Sequence, residues 1–299
     1  MRTIILICVF ISHSVFASFQ MNENMQISYS HIINLEFEEA NELLSIEQKN
    51  NPTNKIIVLQ NNYIDFLTII IGEDQTFFTA AKDKKSDRID FLKVGDQDSP
   101  YYLYAQAEIH LQWAFARLKF EEYLTAAYEI QKAYSLLEEN QEIFPDFKLN
   151  NKGLGILHAL IGAVPNQYQW AFSLAGMQGS VGSGLGKLKV LLQDEEMELY
   201  RNEILFLIAF LQMSMTNDQV AYKQLLTEIG DGYLDNYLLN FAAARLTHAL
   251  GENDLTLNVL ENRPANQGKF SFYYLDYLQG MALLYKLDFE NSKKYFTRF

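Results

Sequence analysis

Five times along this 299-residue chain a small residue is followed nine positions later by a turn-region residue, three further by a second small residue, and four more by a large apolar one. The sets are Ser28/Phe37/Ala40/Leu44, Ala114/Tyr123/Ala126/Ile130, Ala209/Asp218/Ala221/Leu225, Ala244/Asn253/Thr256/Leu260 and Gly280/Phe289/Ser292/Phe296. In two antiparallel helices joined by a short turn, such small residues face each other at the crossing point and let the backbones approach. The large residue then fills the groove beside them. The pattern restricts the chain to stacked helical hairpins, and the segment 272–299 displays it most clearly.

Composition agrees. With 49% hydrophobic residues and only five Pro, the chain has a large apolar core to bury, and its apolar residues recur at helical spacing with no convincing strand pair. A formal net charge of −13 repels nucleic-acid phosphates and anionic lipid headgroups within a Debye length, which argues against either as a partner.

The turn-region residues lie 86, 95, 35 and 36 positions apart. In the hairpin over 27–49, Phe37-Glu38-Glu39-Ala40 opens the second helix and Asn51-Pro52 stops it. These residues resemble the tetratricopeptide repeat superfamily, whose period is about 34 residues. The two long intervals leave room for a further helical pair each, and Asp218 and Asn253 stand where the repeat usually carries an aromatic. Ser99-Pro100-Tyr101-Tyr102-Leu103-Tyr104, Trp113-Ala114-Phe115 and Gly153-Leu154-Gly155-Ile156-Leu157-His158 make the chain similar to uncharacterised secreted bacterial tetratricopeptide proteins. A fainter likeness is to the eukaryotic tetratricopeptide protein 39 and inclusion-body-clearance group. The resemblance implies an all-α, right-handed α-solenoid of helical hairpins over residues 18–299, with extra helices between repeats. Because 295–299 stops inside the second helix of the last hairpin, with no covering helix, that array reads as incomplete at its C-terminus.

Residues 1–17 read as a secretory signal: Arg2 supplies the positive start, 4–11 a short apolar core, and Val15-Phe16-Ala17 the small residues for cleavage. The run is too short for a membrane span of about 20 residues. This places the mature chain outside the cytoplasm, in the periplasm or cell envelope, and removes Cys8, the only cysteine. Disulfides, thiolate metal sites and cysteine nucleophiles are thereby excluded.

Along the chain, Asn54 caps a helix to Ile71 that is apolar on most faces. Residues 73–94 read as a more exposed helix, with Lys82, Asp83, Lys84, Lys85, Asp87 and Arg88 as a solvated face. The glycines of 153–192 break that stretch into short helices and permit close helix approach or positive backbone angles. Gly182-Ser183-Gly184-Leu185-Gly186-Lys187 fails the phosphate-loop pattern at Val181 and Leu188, and it fails the dinucleotide pattern as well. The apolar run 204–211 is a buried helix, too short to cross a bilayer.

No reaction is written in these residues. His31, His110, His158 and His248 lack metal-ligand spacing, the serine of Gly182-Ser183-Gly184 lacks a nucleophile-elbow frame, and carboxylate pairs such as Glu38/Glu39 and Glu195/Glu196 read as solvated. The chain is therefore expected to be a non-catalytic scaffold without cofactor, taking a protein or peptide segment in a concave groove. A helical-barrel hydrolase acting on an envelope polymer or glycan is the alternative, and it would need two facing carboxylates in a closed, aromatic-lined cavity. Tetratricopeptide repeats bind through the first helix of each hairpin, so the resemblance implies a wall made by Phe241, Arg245 and His248 of one hairpin and Tyr274, Tyr277, Met281 and Tyr285 of the next.

Overall fold

The computed structural model describes residues 18–299; the signal reading of 1–17, with Cys8, lies outside the described residues. Within them the regular structure is all helical: α1 (Glu23–Ile33), α2 (Phe37–Asn50), α3 (Ile56–Gly72), α4 (Gln75–Lys93), α5 (Tyr101–Lys119), α6 (Tyr123–Ile143), α7 (Leu149–Ala163), α8 (Asn166–Leu174), α9 (Val181–Leu191), α10 (Arg201–Met215), α11 (Gln219–Ile229), α12 (Tyr237–Ala249), α13 (Asn253–Glu261), α14 (Tyr273–Tyr285) and α15 (Phe289–Arg298). Two 3-10 segments, Glu195–Tyr200 and Gly230–Leu234, precede α10 and α12.

The helices pair as α1/α2, α3/α4, α5/α6, α7/α9, α10/α11, α12/α13 and α14/α15, and the first helix of each pair packs on the first helix of the next. Helix α5 is buried on nearly every face from Tyr104 to Ala116. The row also returns on itself. Helix α14 reaches α3, the Phe270 amide donates to the Leu35 carbonyl at 2.7 Å, Lys269 pairs with Glu36, and Asn236 Nδ2 donates to the Ile33 carbonyl at 3.1 Å.

The small residues of the spacing pattern lie where the helices cross. Ser292 Oγ donates to the Gly280 carbonyl at 2.8 Å and Ser28 Oγ to that of Ala40 at 3.4 Å. A Cβ on Gly280 would come within 2.8 Å of the Phe296 ring. Phe37, Tyr123, Asn253 and Phe289 each begin a second helix, and Asp218 caps α11 by accepting from the amides of Val220 and Ala221.

Four hairpins share one turn conformation. Leu35, Glu121, Gly251 and Leu287 sit at φ of 60, 59, 74 and 61°. The next amide, of Glu36, Glu122, Glu252 or Asp288, donates to the carbonyl five residues back, that of His31, Arg117, Thr247 or Leu283. This six-to-one bond closes the helix C-terminus in the Schellman manner, where glycine is the usual left-handed residue. Only one of the four is glycine. At Leu35 complete burial of the side chain offsets the steric cost of that conformation.

Helix α4 departs from its solvated reading. Lys85 and Arg88 keep only 12% and 14% of their side chains exposed. Lys85 meets Glu129 of α6 at 2.7 Å, Arg88 meets Asp65 of α3 at 2.7 Å, Lys84 meets Asp65 at 3.1 Å, and Lys82 meets Glu122. The helix buries an apolar stripe of Phe78, Ala81, Ile89 and Leu92, and beside it the charged face docks onto carboxylates supplied from outside the segment, which no periodicity within 73–94 reveals.

The glycine-rich stretch is a close crossing of α7 and α9. A Cβ on Gly184 would lie 2.3 Å from the Gly155 carbonyl oxygen and 2.5 Å from the Ala159 amide nitrogen, while one on Gly162 would lie 2.4 Å from the Ser180 Cα. Gly182 and Gly186, inside α9, face open space.

Candidate functional site

Helices α12 and α14 are neighbours, so the seven residues expected to form a wall share two adjoining helices. Phe241 lies 6.4 Å from Tyr274, Tyr274 6.3 Å from Tyr277, and His248 5.6 Å from Tyr285, measured between ring centroids. Arg245 is exposed, and among the described residues no carboxylate pairs with it. It is near enough to depress the pKa of His248, where burial is the larger cause. Met281 is half-buried beside them.

Their exposure differs, however. Tyr285 is 62% exposed. Tyr277 is partly covered by the chain's own last helix, with Phe296 at 5.9 Å and Phe299 at 5.1 Å, and Phe299 also lies 5.3 Å from Tyr274. Tyr274 is committed on its other side. Burial, then the Glu73 carboxylate, pushes its pKa up to about 12, and Lys119, which pairs with Glu73, stands 5.7 Å from its ring.

The aromatic surface also runs beyond those seven residues. Phe206 of α10 lies 6.5 Å from Phe241, and Phe210, 39% exposed, lies 6.0 Å from Phe115 of α5. The five-set spacing contained the signal for them. Phe241 and Arg245 stand three before and one after Ala244, and Phe206 and Phe210 stand likewise about Ala209, as Leu111 and Phe115 do about Ala114. Carrying the register to every hairpin would have found them.

A second constellation lies deeper, and no sequence motif announced it. Lys152 of α7 is completely buried. Its three ammonium protons have three partners: Glu203 of α10 at 2.8 Å, Glu108 of α5 at 3.0 Å and the Tyr63 hydroxyl of α3 at 2.7 Å. Tyr63 in turn donates to Glu108 at 2.6 Å, and Tyr29 of α1 donates to Glu203 at 2.5 Å. Five helices thus meet at one polar knot inside an apolar core. Burial opposes the Lys152 charge, but the Glu108 and Glu203 carboxylates outweigh it and hold its pKa above the ordinary lysine value. Burial pushes the Tyr29, Tyr63 and Tyr104 hydroxyls well above theirs, and the carboxylates add to the effect. The ammonium fills the space between the two carboxylates.

Histidines are used locally. His110 meets Glu129 at 2.6 Å. His158 Nδ1 lies 3.2 Å from Ser183 Oγ, a bond that ties α7 to α9, and among the described residues no carboxylate orients the imidazole as a catalytic base would require. Glu38, Glu39, Glu195 and Glu196 are exposed. Among the described residues no group of three or more His, Cys, Asp or Glu is placed to hold a metal ion, and no helix is long and apolar enough to cross a membrane. Compared with known proteins, the chain matches no family model, no curated protein and no solved structure.

Proposed function

We propose that this chain is a non-catalytic binding scaffold: a right-handed α-solenoid of tetratricopeptide-like hairpins that acts in the periplasm or cell envelope and takes an extended, carboxylate-bearing peptide segment along α12 and α14. One observation carries the reading. Arg245 is an exposed cation without an ion pair among the described residues, on a protein of net charge −13, and it is flanked by Phe241, Tyr274, His248 and Tyr285. A guanidinium can take a carboxylate through two parallel hydrogen bonds, and tyrosine offers apolar area with a polar tip for the adjoining chain.

The repeated turn and the shared register about Ala114, Ala209, Ala244 and Gly280 support the solenoid. Export rests on the reading of 1–17. Against the helical-barrel hydrolase stands Lys152: Glu108 and Glu203 do face each other among tyrosines, but the lysine ammonium occupies the position a substrate would need.

The test is selection from a random peptide library displayed with a free C-terminus, followed by calorimetric titration of the enriched peptides. Arg245→Ala and Tyr285→Ala should each weaken binding about tenfold with unchanged far-ultraviolet dichroism. Enriched peptides that bind Arg245→Ala as tightly as the parent, or a library yielding no peptide at all, would remove this site.

A further inference from the structure

The two carboxylates that hold Lys152 also mark a direction. Phe115 follows Glu108 by seven residues on α5, and Phe210 follows Glu203 by seven on α10. Seven residues are about two helical turns, so each phenylalanine stands on the same face as its carboxylate, roughly 10 Å further along the axis. The two stripes converge at both levels. Glu108 and Glu203 share the Lys152 ammonium, at 3.0 and 2.8 Å, and the rings of Phe115 and Phe210 lie 6.0 Å apart, edge to face. At the first level buried charge closes the gap. At the second, aromatic rings line it, with Phe115 half-buried and Phe210 39% exposed.

This ring pair adjoins the peptide surface on α12. Helix α10 packs on α12, and Phe206 lies 6.5 Å from Phe241. One turn on from these two stand Phe210 and Arg245, on packed helices whose axes are typically about 8–10 Å apart. An extended chain of polyproline II type has three residues per turn and rises about 3.1 Å per residue, so side chains three positions apart point the same way about 9 Å from each other. The two spacings agree. The charges near the ring pair are already engaged: Lys119, one turn beyond Phe115, pairs with Glu73, and Glu108 and Glu203 are held by Lys152. The phenylalanines therefore offer apolar area, and Arg245 offers the charge.

We propose that the peptide taken at Arg245 carries a large aliphatic or aromatic side chain three residues from the residue that bears its carboxylate, seated against Phe210 and Phe115. Peptide binding at Arg245 is the premise, and the ring pair adds a second anchor that selects leucine, methionine or phenylalanine over a polar residue. An apolar side chain leaving water for the rings gains free energy with the area it covers. A polar one would give up hydrogen bonds to water that the rings do not replace.

The library selection supplies the probes. Peptides enriched on the full chain should carry Leu, Met, Phe or Trp three residues from the carboxylate-bearing residue. In calorimetric titration of such a peptide, replacing that residue by Ala, or Phe210→Ala in the protein, should each weaken binding about tenfold. Both changes together should cost no more than either alone, as for two groups in contact. The peptide substitution leaves the protein untouched, so a folding defect in Phe210→Ala cannot mimic the result. Peptides that lose binding to Arg245→Ala yet bind Phe210→Ala as tightly as the parent, or show no apolar preference at that position, overturn this second anchor and leave the peptide site standing. A library yielding no peptide removes both. A dimer in sedimentation that Phe210→Ala dissociates would assign the ring pair to a second copy of the chain and overturn it as well.

Discussion

The Lys152 ammonium reaches both oxygens of Glu203, at 2.8 and 3.0 Å, from a side chain wholly withdrawn from solvent. The contact joins α7 to α10 across 51 residues of chain, and Tyr29, Tyr63 and Glu108 extend it to α1, α3 and α5. A buried charge of this kind is stable only while every partner is present.

Removing the lysine therefore costs more than removing the whole group. Lys152→Met leaves two carboxylates buried without a cation and should destabilise the fold by about 3–5 kcal/mol. Adding Glu108→Gln and Glu203→Gln to the same variant should recover part of that loss, because no uncompensated charge remains. Urea unfolding of the single and triple variants decides it; a single variant as stable as the parent would mean that the knot is not charged.

The same cluster sets an alkaline limit. Lys152 and the tyrosines Tyr29, Tyr63 and Tyr104 all hold their protons more tightly folded than unfolded. Their stabilisation is complete below roughly pH 10, where the unfolded groups begin to titrate, and is lost as pH rises through the higher folded values. Helicity and tyrosinate absorbance should be followed together. The buried tyrosines should ionise only as helicity falls, and full ionisation of every tyrosine near pH 10 with helicity intact would contradict their burial.

The glycines of one short helix should respond with opposite signs. Gly184→Ala drives a methyl into the backbone of α7 at Gly155 and Ala159 and should destabilise by about 3 kcal/mol. Gly186→Ala, two residues on, meets nothing within 4 Å and should stabilise by about 0.5–1 kcal/mol by lowering the entropy of the unfolded chain. Melting curves of the two variants provide the comparison. Shifts in the same direction would mean that α7 and α9 do not cross there.

Local spacing determined the hairpins. Ser28 and Ala40, or Gly280 and Ser292, meet across a single turn, so the interval between them records the crossing, and the sequence alone yields the helical class and the register that aligns Phe206 with Phe241. The same locality places Phe241 through His248 on one helix and Tyr274 through Tyr285 on the next. The rest had no local signature. Leu35, Glu121 and Leu287 take a conformation that glycine favours, each closed by the six-to-one bond of its turn, and only at Leu35 is the side chain buried. The charges of α4 could be read only against Asp65 on α3, Glu129 on α6 and Glu122 in the turn before α6. Tyr29 and Glu203, 174 residues apart, share a bond only because the row of helices folds back on itself. A pairwise Coulomb or hydrogen-bond partner at that distance in sequence leaves no periodic trace, so the buried knot was decided by tertiary packing.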